Sequence, residues 1–342
     1  MVFQFLENRV RRAYIGGSRI DAFTGRSGTG DLCPEEWLAS SVAAFNPDYA
    51  PMENEGLSRL LDGQLFRNVL EANAREILGP RLHDRHNGKL AILVKLLDAA
   101  ERLVIQCHPT VPFAKAHFGS EFGKTECWYF LDTAPDACVY LGFREGITRE
   151  KWEDLFSRQD ASGMLECLHR IPVQPGDLWF VDGGVPHAIG AGCFMIELQE
   201  PSDLMVIPER VTPSGRQLSE QKLHCGLGFQ KMFDCFDYQG CSPEELVRKY
   251  YRKATFADNQ LTAIVDGSLT DKFSMLGLRV KEKAVVELGD RYGVGVVTAG
   301  SCRLSCHGNE PLSLEKGNSF FITANSGALC LEGQAEMILC TA

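Results

Sequence analysis

From Lys89 onward the chain is a succession of short apolar runs: KLAILVKLLDA, RLVIQCH, TECWYFLDT, ACVYLGF, GDLWFV and CFMIELQ. Each is rich in β-branched or aromatic residues and is bounded by turn formers, the mark of antiparallel strands rather than of helices. The pattern returns from about residue 260 in LTAIVDG, FSMLGLRV, AVVELG, VGVVTAG, SFFITA and EMILCTA. Such a chain is expected to be mainly β. Helical periodicity is confined to three places. GLSRLLDGQLFRNVLEANAREILG precedes the first strands, and a helix is predicted at about 148–170, where Trp152, Leu155 and Phe156 recur at i, i+3 and i+4. Another starts at Ser242, with Pro243 at the first helical position and Glu245 as capping-box partner.

The two β regions carry a weak internal repeat. VQPGDLWFVDGGVPHAIGAGCFMIEL lies over LEKGNSFFITANSGALCLEGQAEMIL at a constant offset, matching Gly176 with Gly317, Phe180 with Phe321 and His187 with Ala328. A glycine turn, an aromatic strand and a second turn form one hairpin of a small antiparallel barrel, so two similar barrels in tandem are predicted. The later copy lacks the histidine and reads as structural.

With 342 residues, 44% of them hydrophobic and 23% charged, the chain has material for two or three packed units. A net charge of −10 without any Lys/Arg-dense segment argues against sequence-independent binding to nucleic acid or to an acidic membrane. The N-terminus shows no secretory h-region and no run is long enough to span a bilayer, so a cytoplasmic protein is expected. Thirteen cysteines without a C-x-x-C pair indicate neither a disulfide framework nor a zinc ribbon.

The stretch QCHPTVPFAKAHFGSEFGKTECWYFL sets polar groups between runs that otherwise read as buried strand. Gln106 and His108, two apart, share one strand face, while Ile105 and Cys107 take the other. Glu126 stands in the next strand, and His187 just past the turn of GDLWFVDGGVPHAIG. If these strands line one interior, two imidazoles and two oxygen donors converge on a site suited to Zn2+, Fe2+, Mn2+, Co2+ or Ni2+, with a position open for substrate or water. The plainer reading is of polar residues on a half-solvated sheet face, each with its own hydrogen-bond partner.

KLAILVKLLDAAERLVIQCHP, GKTECWYFLD and RIPVQPGDLWFVDGGVPHAIGAGCFMIELQEPSD resemble successive segments of the type I phosphomannose isomerases, zinc-dependent mannose-6-phosphate isomerases of the cupin superfamily; CPEEWLAS resembles their Trp-containing segment. The likeness runs in order from about residue 10 to 205 and weakens beyond. It implies tandem cupin-like (jelly-roll) barrels with a helical insertion. Residues 1–88 would complete the first barrel, 89–215 form the metal-binding barrel, 216–258 a helical linker and 259–342 a second, metal-free barrel. It also implies one zinc ion per chain, or another divalent metal, held by Gln106, His108, Glu126 and His187.

The implied activity interconverts mannose 6-phosphate and fructose 6-phosphate, with a small sugar or sugar phosphate as the only expected partner. Lys124, two residues before Glu126, would lie close to the metal, to hold a substrate oxygen or move a proton, and Glu197 matches the glutamate of the family's LE-x-Q segment. Buried among apolar residues, Glu197 would need a partner such as Lys124 or a sugar hydroxyl. The chain departs from the family after Ser202-Asp203, where Val206 and Ile207 replace a Tyr-Arg pair assigned to catalysis or to the substrate's charge. Arg210, or Arg216, is the substitute nearest in sequence. Thr110 replaces an aspartate after the metal histidine, and Lys115 and His117 follow in that loop, able to enter the pocket or to remain solvated. Two alternatives stay open: a sugar-binding or regulatory cupin that keeps the metal without turnover, and an isomerase of another sugar. A metal-dependent cupin oxygenase is a further class.

Overall fold

The computed structural model describes residues 1–26, 30, 32–308 and 310–342. In chain order its strands are β1 (Val2–Phe3), β2 (Arg9–Val10), β3 (Glu35–Leu38), β4 (Leu93–Ala99), β5 (Glu126–Thr133) and β6 (Cys138–Phe143). They continue as β7 (Leu168–Pro172), β8 (Asp177–Val181), β9 (His187–Ile189), β10 (Cys193–Gln199), β11 (Tyr251–Lys253) and β12 (Thr262–Val265). The last are β13 (Ser274–Val286), β14 (Gly293–Ser305), β15 (Leu312–Glu315), β16 (Ser319–Ile322) and β17 (Leu329–Thr341). The protein is mainly β, and its strand pairs are antiparallel.

The leading seven-stranded sheet runs β11-β8-β5-β10-β4-β3-β2, and a three-stranded sheet, β7-β6-β9, carries His187. The trailing sheet runs β1-β16-β14-β17-β13-β12, with β15 beside β14. The central strands β4 and β10 are buried at every position, which explains why their sequences read as almost continuous apolar runs. Register decides which residues share a face, because residues directly opposite on neighbouring strands point the same way. Trp37 lies opposite Lys95, Lys95 opposite Glu197, and Glu197 opposite Trp128. Glu35 and Glu126 stand two residues from Trp37 and Trp128, so both lie on this face. One side of the sheet thus carries a row of charges.

Where β13, β14 and β17 run together at residues 275–278, 293–297 and 337–341, the trailing sheet is buried on both faces. Met337 and Leu339 join an aliphatic cluster on one side, while Ile338 and Cys340 join the large core shared with the leading sheet on the other.

Several sequence expectations are altered. RLVIQCH forms no regular strand; Gln106 and Cys107 make single bridges, to His187 and Val206. The predicted helix at 148–170 is two helices, Arg149–Arg158 and Ala161–Glu166, followed by β7. The break occurs where Gln159 adopts a left-handed conformation (φ 51°) and the Asp160 side chain caps the next helix. The expected capping box of Ser242 and Glu245 is present. The first residues do not stay with the leading sheet, since β1 pairs with β16; conversely β11, after the helices that follow residue 216, adds an edge strand to the leading sheet. None of the thirteen cysteines is in a disulfide. No helix among the described residues is long and apolar enough to cross a membrane.

Candidate metal centre

His108, Glu126 and His187 come together, with their ligand atoms all within 4.8 Å of one another. Each arrives from a different element: His108 from the irregular segment after Ile105, Glu126 from the first position of β5, His187 from the first position of β9. A bridge between the irregular segment and β9 holds two of these elements together. Gln106 N–H donates to the His187 carbonyl and His187 N–H to the Gln106 carbonyl, each at 2.9 Å.

The hydrogen bonds fix the imidazoles as metal ligands require. His108 Nδ1 donates to the Leu204 carbonyl at 3.1 Å and His187 Nδ1 to the Val185 carbonyl at 2.9 Å. In these neutral tautomers the proton is on Nδ1, so each Nε2 presents a bare lone pair. The two Nε2 atoms lie 3.1 and 3.3 Å from the Glu126 oxygens. Trp128 Nε1 donates to Glu126 Oε1 at 3.0 Å, orienting the carboxylate. Glu126 Oε2 and His187 Nε2 are buried with no hydrogen-bond partner among the described residues. Buried donors and acceptors are seldom left so, and a divalent cation between them would satisfy both.

Charge supports the same fit. Burial, then Lys124, pushes His108 down to about 3, so it is neutral at pH 7. His187 is likewise lowered by burial. Burial alone would raise the Glu126 carboxyl, but His108 and Lys124 outweigh it and hold it well below the usual range. Neutral imidazoles and an ionised carboxylate are the forms that bind metal. Lys124 Nζ approaches His108 Nε2 at 2.9 Å and Glu126 Oε2 at 3.5 Å, and burial lowers its pKa.

Gln106, 8% exposed, lines a narrow cavity beside the cluster together with Lys124, Lys95 and Glu197. Glu197 is paired with Lys95 at 2.9 Å, a partner different from the one the sequence suggested, and burial nevertheless raises its pKa. Arg210 is not in this cavity. Its guanidinium covers the rings of Phe156 and Phe229 at 5.0 and 4.5 Å. Arg216 stacks on Tyr49 at 4.0 Å. Thr110 caps the helix Val111–Phe118, exposed Lys115 pairs with Glu121 at 2.7 Å and His117 packs on Phe113, so none of the three lines the cavity.

A buried ionic network behind the cavity escaped the sequence reading. Arg12 holds Asp203 through two bonds of 2.9 and 2.6 Å and meets Glu35 at 3.0 Å. Glu35 also accepts from Tyr14 at 2.8 Å and Trp37 at 2.7 Å. Burial acts against its ionisation, but Arg12 and Lys95 prevail and hold Glu35 down to about 2. Two sequence signals pointed here: Lys95 is the lone charge inside ILVKLL, and Glu35 with Trp37 repeats the E-x-W spacing of Glu126 with Trp128. In both pairs the indole donates to the carboxylate two residues earlier.

A larger cleft, lined by residues including Asp182, Arg248 and Tyr250, contains none of these groups. Its Lys249 and Asp182 pair with each other at 3.4 Å and it holds none of the candidate ligands, so the smaller cavity is the functional candidate.

Two parts of the chain match known families, and several known proteins resemble it. Residues 50–128 match the family described as phosphomannose isomerase type I, catalytic domain, which takes in Gln106, His108, Lys124 and Glu126; residues 267–342 match mannose-6-phosphate isomerase, cupin domain. The chain is 27% identical over 98% of both lengths to the probable mannose-6-phosphate isomerase GmuF of Bacillus subtilis. It is 30% identical to the mannose-6-phosphate isomerase of Streptococcus mutans over 58% of each chain. Its fold matches the crystal structure of the mannose 6-phosphate isomerase from Bacillus subtilis with a TM-score of 0.75 at 21% identity, covering 99% of both chains. A putative mannosephosphate isomerase from Archaeoglobus fulgidus gives a TM-score of 0.74 at 20% identity, over 99% of this chain and 96% of that one. Residues 50–128 thus resemble the type I phosphomannose isomerase catalytic domain and residues 267–342 a mannose-6-phosphate isomerase cupin domain, and along nearly its whole length the chain shares the fold of the solved mannose 6-phosphate isomerase.

Proposed function

We propose that the protein is a metal-dependent aldose–ketose isomerase that interconverts mannose 6-phosphate and fructose 6-phosphate. The observation that carries this is the buried His108–Glu126–His187 cluster, with bare ligand atoms, beside a cavity that also presents Lys124 and Glu197. Gln106, His108, Glu126 and His187 would hold one zinc ion. When bound, the ion supplies Lewis acidity for the charge that develops on the substrate oxygens.

The chain's own groups handle the protons. Isomerisation removes a proton from the carbon beside the carbonyl and returns it to the neighbouring carbon, while a hydroxyl proton moves between the two oxygens. Glu197, whose pKa burial raises, is suited to take up and return the carbon-bound proton, with Lys95 holding its carboxylate in place. Lys124, whose pKa burial lowers, can donate to a substrate oxygen and recover the proton. The closed sheet face around Trp37 and Trp128 keeps water from these groups and strengthens their fields.

In the same reading the antiparallel assemblies are tandem cupin-like barrels, the second without a metal. The repeat supports this: residues 178–181 of β8 fall on residues 319–322 of β16 at the sequence offset, and Gly176 and Gly317 both have positive φ, 84° and 91°.

Incubation with mannose 6-phosphate in deuterium oxide tests the function. Deuterium should enter the carbon next to the carbonyl, chelator should abolish ketose formation, and added zinc should restore it. Turnover unaffected by chelator, or no ketose formed at all, would refute the assignment.

A further inference from the structure

The cavity is bounded by buried charges that nearly all have partners. Asp203 is saturated: both oxygens bond Arg12, and Oδ2 also accepts from Phe45 N–H at 2.8 Å. Glu35 is held by Arg12, Tyr14 and Trp37, Glu197 by Lys95, and Glu126 lies among Lys124 and the histidines. Lys222 is different. It projects from the short helix Glu220–His224, is only 5% exposed, and lines the cavity on the side of the apolar residues Met205, Ile207 and Leu218. Its Nζ donates to the Phe45 carbonyl at 2.9 Å and, among the described residues, takes part in no ion pair. An ammonium has three donors, and burying one against a single neutral acceptor is costly. The strain is visible in its pKa, which burial and then Arg12 lower to about 8.

The charge count points to what is missing. Four buried cations, Arg12, Lys95, Lys124 and Lys222, line the cavity with two buried carboxylates, Glu35 and Glu197, while Glu126 and Asp203, which do not line it, pair with Lys124 and Arg12 and bring these carboxylates to four. The protein groups therefore balance, and a divalent cation at the histidine cluster leaves the site with two positive charges. A phosphate monoester carries close to two negative charges at neutral pH. We propose that Lys222 receives the phosphate of the substrate, so that this lysine sets the preference for a phosphorylated over a free sugar. The sugar's identity rests on the isomerase reading above; the anion site itself stands on the buried, incompletely partnered lysine.

Calorimetric titration of the metal-loaded protein separates the two. Lys222→Gln should weaken binding of mannose 6-phosphate and of inorganic phosphate roughly tenfold to a hundredfold, change that of mannose less than about threefold, and be largely rescued in Lys222→Arg. Equal weakening for both sugars, or none for either, overturns the proposal. Should Lys222→Gln fail to fold, amine acetylation of the wild type reads the same contact: inorganic phosphate should protect Lys222 where mannose does not, and equal labelling with and without phosphate overturns it. Wild-type protein that binds phosphate through Lys222 yet never isomerises mannose 6-phosphate would sink the isomerase reading and leave this one standing.

Discussion

The leading and trailing sheets are built alike and filled differently. Phe180 on β8 and Phe321 on β16 are both buried, each after a left-handed glycine, and β10 and β17 both sit between two neighbours in their sheets. Within the leading sheet, however, one face holds Glu35, Lys95, Glu126 and Glu197, each no more than 3% exposed. In the trailing sheet the cluster around Leu278, Phe320, Met337 and Leu339 is wholly apolar. Among the described residues from 259 on, the buried polar side chains are Thr323, Ser326 and Thr341, and none carries charge. Where the leading region places His187, the repeat places Ala328, which is exposed. Buried ion pairs are poor stabilisers because desolvation offsets their attraction, whereas aliphatic packing stabilises directly. One region is arranged for chemistry and the other for cohesion.

That contrast can be broken from either side. The largest effect is expected for His187→Ala, which should lower isomerase turnover roughly a thousandfold, about 4 kcal/mol of barrier, and remove the bound metal. Metal analysis beside an activity assay checks it, and a variant that keeps full metal occupancy would contradict the ligand assignment. In the trailing sheet Phe320→Ala should lower unfolding stability by about 3–5 kcal/mol through the cavity it leaves. Its folded fraction should keep the metal stoichiometry of the wild type. Denaturant titration with metal analysis distinguishes this from an effect on the site.

A smaller, pH-dependent effect sharpens the comparison. Glu35 ionises more easily folded than unfolded, since its pKa falls from 4.5 to about 2. Its contribution, ~3 kcal/mol, is therefore present above the unfolded value and lost as pH falls through the folded one. Glu35→Gln should be less stable than wild type at pH 7, and the gap should narrow between about pH 5 and 2. Urea midpoints at both ends of that range measure it; a gap independent of pH would mean that the stability of the leading region does not depend on this charge.

The metal-site candidates were legible because their signals are local. Glu126 heading an aromatic run and His187 after a glycine turn each specify a face or a turn without reference to distant chain, whereas Gln106 and His108, read as one strand face, lie in a segment that forms no regular strand. The capping box at Ser242 is legible for the same reason, being complete within four residues. The break at Gln159 was not, because a left-handed non-glycine residue leaves no plain mark in the letters. Arg210 looked suitable by nearness in sequence, yet the rings of Phe156 and Phe229 draw it away.

By itself the sequence determined a mainly β chain, the alternation that turns a few polar side chains to one side, and the imidazole and carboxylate chemistry placed there. Only the tertiary structure decided the pairing of charges: Glu197 with Lys95 instead of Lys124, Arg12 with an aspartate 191 residues away, and Lys222 in no ion pair among the described residues. Alternation and capping act over a few residues, whereas the partner of a buried charge depends on strand register and on which segments close over the sheet.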